Sequence, residues 1–243
     1  MAKELKTQEL DIRGFIETSF LDWDGHIVST LYVPLCNFRC PYCHNFGLIE
    51  NPGQYDLIPH EAIESFLLQR KNFIDGICLT GGEPCLHKNR GLFEFIRRIK
   101  DLGFKIKFDT NGSDPEAIKI LIDERLIHYI AVDVKGPLDE RYDKLSGVKT
   151  DIGKIKQTIA FIMGSGVPYE FRTTVVPTLL DTKDIEDIAK HISGAKKFVF
   201  QQFVAENTWS KSLRKVKPYE RKKLEEMCKA ASPYVKECII RGV

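Results

Sequence analysis

Nothing in the 243 residues approaches the roughly 18 uninterrupted apolar residues that a membrane-crossing helix needs. The opening, MAKELKTQELDIRG, has no apolar core of the kind a secretory signal carries. These two absences argue against a membrane partner and point to a reducing cytoplasm. Charge of one sign is equally scarce: 36 basic and 34 acidic side chains leave a formal charge of +2, far from the basic excess of a nucleic-acid-binding surface. No nucleic-acid partner is expected. Linkers, low-complexity runs and repeats are missing too, so a single domain over residues 1–243 is the default. There is no P-loop, and no Ser/His/Asp set with a nucleophile elbow, which leaves a hydrolase without support.

Apolar residues make up 43% of the chain and charged residues 29%, enough of the former for a real core without cross-links. Short apolar runs alternate with amphipathic stretches. Strands are expected at 27–35, 76–80, 104–110, 127–135, 169–177 and 196–203. Helices are expected at 59–71, 91–103, 114–126, 152–166 and 182–194, the third opening with Asp114 as N-cap and Pro115 at N1. Strand runs apolar on both faces and joined by helical crossovers imply a parallel sheet. Six such units either curl into a partial barrel or spread into a doubly wound sheet, and in both the functional groups gather at the C-terminal strand ends. The basic run 211–223 reads as a solvated loop and helix start, and 234–242 as a terminal strand.

Seven cysteines is an odd count, and three of them stand in CNFRCPYC, residues 36–43. A structural zinc site normally takes four ligands in two close pairs. Cys78, Cys85, Cys228 or Cys238 could complete such a set, but none belongs to a second C-x2-C pair. A [4Fe–4S] cluster held by three thiolates keeps one iron open to another ligand, which is the mark of chemistry rather than architecture. One strand-helix-strand step later comes LTGGEPCL, residues 79–86, where two glycines let backbone groups approach a ligand.

These motifs resemble the radical S-adenosylmethionine (SAM) superfamily. Cys36, Cys40, Tyr42 and Cys43 match its C-x3-C-x-φ-C motif, in which φ is aromatic, and Gly81, Gly82 and Glu83 match its GGE motif. Within the superfamily the details resemble the glycyl-radical-enzyme activating enzymes, in particular the branch serving anaerobic ribonucleotide reductase. The CHN ending of the cysteine motif, FDTNG at 108–112, AVDVKGP at 131–137 and FRTTVVPT at 171–178 carry that likeness. It covers about residues 15–205, with 206–243 as a C-terminal helix and strand extension.

The resemblance implies an α/β fold, a partial (βα)6 TIM-like barrel with short N- and C-terminal extensions. It implies a [4Fe–4S] cluster on Cys36, Cys40 and Cys43, with the amino and carboxylate groups of SAM on the open iron. A low-potential electron, from a flavodoxin- or ferredoxin-type donor, would cleave SAM to a 5′-deoxyadenosyl radical that abstracts hydrogen from a glycine Cα of the partner enzyme. Tyr42 would pack near adenine and His44 near SAM or the cluster. Gly81, Gly82 and the neighbourhood of Glu83 would accept the methionyl ammonium, Lys135 and Arg172 would meet the carboxylate or ribose, and Gln201 and Gln202 would line the substrate cleft. Asp109, Thr110 and Asp133 would hold a monovalent cation; the alternative for Asp109 and Thr110 is simply to close the DTNG turn. Cys85 follows GGEP, where the family usually has a different residue, and reads as a buried thiol. The rival functions are a radical SAM enzyme acting on a small molecule, such as a deazapurine synthase, and a zinc-binding interaction protein.

Overall fold

The computed structural model describes residues 9–242. The chain divides into two compact units. The first takes the described residues up to Asn37, then Gly47–Asp109 and Lys119–Tyr129; the second takes Phe38–Phe46, Thr110–Ile118 and the chain from Ile130 on.

In the first unit lie β1 (Gly14–Ser19), β2 (Val28–Val33), β3 (Gly76–Gly81) and β4 (Lys105–Thr110), neighbours in that order. β1 runs antiparallel to β2, with Gly14 opposite Tyr32, and β2, β3 and β4 are parallel. The helices are α1 (Phe46–Glu50), α2 (His60–Gln69) and α3 (Leu92–Asp101). In α3 the buried residues Leu92, Phe95, Ile96 and Ile99 fall on one face at spacings of three and four. Burying each such side chain stabilises the fold by about 1.5–3 kcal/mol. α4 (Pro115–Asp123) follows, with Asp114 accepting from the Ala117 N–H at 3.0 Å as its expected N-cap.

The second unit carries β5 (Tyr129–Asp133), β6 (Tyr169–Val175), β7 (Phe198–Gln202) and β8 (Cys238–Arg241), again neighbours in that order and all parallel. Its helices are α5 (Tyr142–Ser146), α6 (Ile152–Gly164), α7 (Thr182–His191) and α8 (Arg221–Ala231). Asp151 caps α6, and Asp181 with Asp184 forms a capping box on α7.

Three sequence expectations change here. β1 was not anticipated, because its middle residues are exposed and it has no helix after it to mark a βα unit. α8 and β8 form the expected C-terminal helix and strand as one more crossover, but a Cys228–Cys238 disulfide, Cα atoms 5.8 Å apart, joins them where no cross-link was expected. The run at 234–242 is thus a paired strand, and the basic stretch before it is loop and helix start as expected. Finally, both strand faces are buried, but one of them mixes polar and charged side chains with apolar ones such as Val28, Ala131 and Val199. Leu31, Leu79 and Phe108 stand in register and fully buried, while Thr30, Cys78 and Lys107 form the alternate row. In the second unit the alternate row through Glu170 and Arg172 is charged and also buried. Buried charges need partners; Glu170, 1% exposed, has both guanidinium nitrogens of Arg241 at 2.8 Å and Lys197 at 3.7 Å.

Candidate active site

The first end of the cysteine motif belongs to the first unit. β2 ends at Val33, and Cys36 follows after Pro34 and Leu35, a leucine in the left-handed region with φ 64°. The GGE segment at the end of β3 supports this departure with its own backbone: Gly82 N–H donates to Val33 O and Glu83 N–H to Leu35 O, each at 2.8 Å. Both glycines are needed for that approach. A Cβ on Gly82 would stand 1.7 Å from the Leu35 carbonyl oxygen, and one on Gly81, whose φ is 116°, would stand 2.5 Å from the Val33 backbone. The Glu83 carboxylate, buried, accepts from Cys85 N–H at 3.0 Å and caps the short 3-10 turn Pro84–His87. Cys85 is 1% exposed and in no disulfide.

The second end belongs to the second unit. Cys43 N–H donates to Cys40 O at 3.0 Å, closing the turn that carries both thiols. The chain after β7 lies along this turn: Ser210 N–H donates to Pro41 O at 2.8 Å and Trp209 N–H to Cys43 O at 3.1 Å. His44, exposed, directs Nε2 to Val204 O at 3.1 Å, and the Trp209 ring stacks on Phe46 with centroids 5.9 Å apart. His44 thus contacts this loop, a connection with no sequence signal. The hydroxyl of Tyr42 is buried, with the Cys40 thiol as its neighbour. Burial pushes the Cys40 thiol up, with Lys135 opposing, and pushes the Cys43 thiol up to about 11.

The acidic residues are all committed to the protein's own groups. Asp109 pairs with Lys107, whose Nζ also reaches Cys78 Sγ at 3.7 Å. Lys107 is 2% exposed and escaped the sequence reading, because KIKFDT looks like a strand edge until its register shows that 107 shares the face of 109. Thr110 Oγ1 accepts from Gly112 N–H at 3.1 Å, so the DTNG turn is closed locally. Asp133 receives Arg172 Nε at 2.8 Å and Lys135 Nζ at 3.1 Å. Burial would raise its carboxyl, but Arg172 and Lys135 together hold it well below the usual carboxylate range. Burial would likewise lower Lys135, and Asp133 outweighs it. One carboxylate therefore braces two cations, and the trio keeps a net positive charge with Lys135 and Arg172 side chains 14% and 10% exposed. Neither Asp109 nor Asp133 needs an added cation for its charge to be met, so the monovalent cation gains no support.

Gln202 is taken up structurally, donating to Tyr219 O at 2.7 Å, whereas Gln201 stands in register with Thr174 on the face of Arg172. Cys228 and Cys238, joined to each other, cannot serve as a fourth ligand. Among the described residues no three His, Cys, Asp or Glu side chains stand close enough to share one metal ion.

The sequence profile of the radical SAM superfamily matches residues 30–193. The chain belongs to the radical SAM superfamily. A Methanocaldococcus jannaschii protein named for glycyl-radical enzyme activation is 32% identical over 236 residues, 96% of either chain. The 7-carboxy-7-deazaguanine synthase of Methanospirillum hungatei is 26% identical over 60% of this chain and 58% of its own. Among solved structures, Streptococcus suis SuiB bound to its precursor peptide SuiA superposes with a TM-score of 0.66 and 15% identity, covering 88% of this chain and about half, 48%, of SuiB. The α/β class and partial barrel expected from the sequence are those of the superfamily, and the chain is an enzyme of it. The superfamily's cofactors are a [4Fe–4S] cluster and SAM. The residues present fit them: Cys36, Cys40 and Cys43 are in no disulfide, and the cation pair of Lys135 and Arg172 is suited to a carboxylate-bearing ligand. Among the described residues no helix is long and apolar enough to cross a membrane.

Proposed function

We propose that this radical SAM enzyme installs a glycyl radical on a partner polypeptide, with an anaerobic ribonucleotide reductase as the candidate partner. The observation that carries the reading is the match to the M. jannaschii protein, which runs through 96% of both chains, against 60% of this chain for the deazaguanine synthase. In this reading Cys36, Cys40 and Cys43 hold the cluster, and residues 1–243 act as one domain in the cytoplasm with a flavodoxin- or ferredoxin-type donor. When bound, the cluster and SAM supply a 5′-deoxyadenosyl radical after one-electron reduction.

The protein's own groups do the rest. The backbone of Gly81 and Gly82 beside Glu83 accepts from the methionyl ammonium, which must be hydrogen-bonded in a partly desolvated site. Lys135 and Arg172, braced by Asp133, meet the methionyl carboxylate, and a planar guanidinium suits that geometry. Tyr42 packs near adenine, and Gln201 faces the substrate side. A monovalent cation by Asp109, Thr110 and Asp133 is the weakest element, since each of these residues already has a protein partner.

The test is a doublet EPR signal on the candidate reductase, formed only with reductant and SAM, that collapses to a singlet when glycine Cα is deuterated. Brisk SAM cleavage with no such signal, and deuterium exchange instead between a small metabolite and deoxyadenosine, would replace this reading with the small-molecule one.

A further inference from the structure

We infer that His87 is a positioning residue for the cluster loop: through its Nε2–H it fixes the carbonyl of Pro34, and with it the direction in which the chain leaves β2 toward Cys36. The inference rests on Cys36 being a cluster ligand. His87 lies at the end of the turn that the Glu83 side chain caps, and it is 2% exposed. Its Nε2 is 2.8 Å from Pro34 O, and a carbonyl can only accept, so Nε2 carries the proton. Its Nδ1 is buried without a partner, the arrangement of a neutral ring in a single tautomer. Burial lowers its basicity in the same sense.

An apolar side chain would fill this place without leaving a nitrogen unmet, so the ring's use is the bond it makes. That bond completes a series. From Val33 to Leu35, the carbonyl of Val33 takes Gly82 N–H, that of Pro34 takes His87, that of Leu35 takes Glu83 N–H, and Leu35 N–H donates to Leu48 O at 3.1 Å. A leucine at φ 64° is an uncommon conformation that persists where surrounding bonds over-determine it. Three of those bonds come from the backbone, and His87 supplies the single side-chain member of the set. The residue after Leu35 is Cys36, so the register of these bonds sets where the first thiol points.

The experiment compares His87→Leu and His87→Gln with the unaltered chain. In His87→Leu, iron retained after anaerobic reconstitution should fall, and iodoacetamide should label Cys36 of the apo-protein about tenfold faster through local opening, with Cys40 and Cys43 unchanged. His87→Gln, which keeps a donor, should restore both. Nitrogen NMR of the isotope-labelled wild-type protein should show His87 as the neutral Nε2–H tautomer, a result that does not depend on any variant folding. An Nδ1–H ring or an imidazolium would overturn the inference, as would a His87→Leu protein with normal iron and an unchanged Cys36 rate. So would parallel acceleration of every free thiol with a fallen melting temperature, which marks general destabilisation. Absence of iron from the wild-type protein would instead sink the cluster reading itself.

Discussion

Cys36 and Cys40 are four residues apart, yet they fall in different compact units and are held by different means. The first unit secures the departure toward Cys36 almost wholly with backbone: two glycines brought against β2, and N–H groups of the GGE segment on the carbonyls of Val33 and Leu35. The second unit works with side chains at its strand ends, where Asp133 braces Lys135 and Arg172, and lays the chain after β7 along the turn of Cys40 and Cys43. Backbone recognition tolerates no added atom, whereas a charge trio tolerates change in shape but not in charge. The two regions should therefore fail differently when altered.

The largest effect tests what they share. Cys36→Ala, Cys40→Ala and Cys43→Ala should each abolish SAM cleavage, measured as 5′-deoxyadenosine released by anaerobically reconstituted protein; a fully loaded cluster in any of them would break the assignment. Next comes the backbone side. Gly82→Ala places a methyl 1.7 Å from the Leu35 oxygen, so thermal unfolding should report a loss of about 3 kcal/mol, the upper part of the overpacking range. An alanine variant of ordinary stability would mean that the two strand ends separate easily.

On the charged side, Asp133→Asn should spare iron content and weaken SAM affinity by about 1–3 kcal/mol in calorimetric titration, the scale for disturbing a buried charge contact. Its partners Lys135 and Arg172 remain, but no longer braced. Unchanged affinity would reduce the trio to a structural ion pair. The smallest effect belongs to Cys85→Ala, which should keep full iron content and SAM cleavage and cost about 1 kcal/mol of stability for a small buried group. Loss of iron in that variant would make Cys85 a ligand and erase the contrast between the motif and its surroundings.

The motifs themselves were legible in the amino-acid sequence because chemistry constrains them locally. Three thiols in eight residues, paired glycines at a strand end and a sixfold alternation of apolar runs with amphipathic stretches each report on neighbours in the chain, and so they led to the family, the strand ends and the N-cap at Asp114. Tertiary structure decided what depends on partners distant in sequence. Lys107 reads as an edge lysine until strand register buries it beside Asp109. Arg172 meets Asp133 across the register of β5 and β6, and Glu170 meets Arg241, 71 residues away. Gly81 and Gly82 proved to be required by the backbone of Val33 and the carbonyl of Leu35, and Trp209 and Ser210 came to rest on the cysteine turn through backbone N–H groups that the sequence does not mark. Backbone groups are the same at every position and carry no residue code, so a contact made by them can be seen only once the chain has folded.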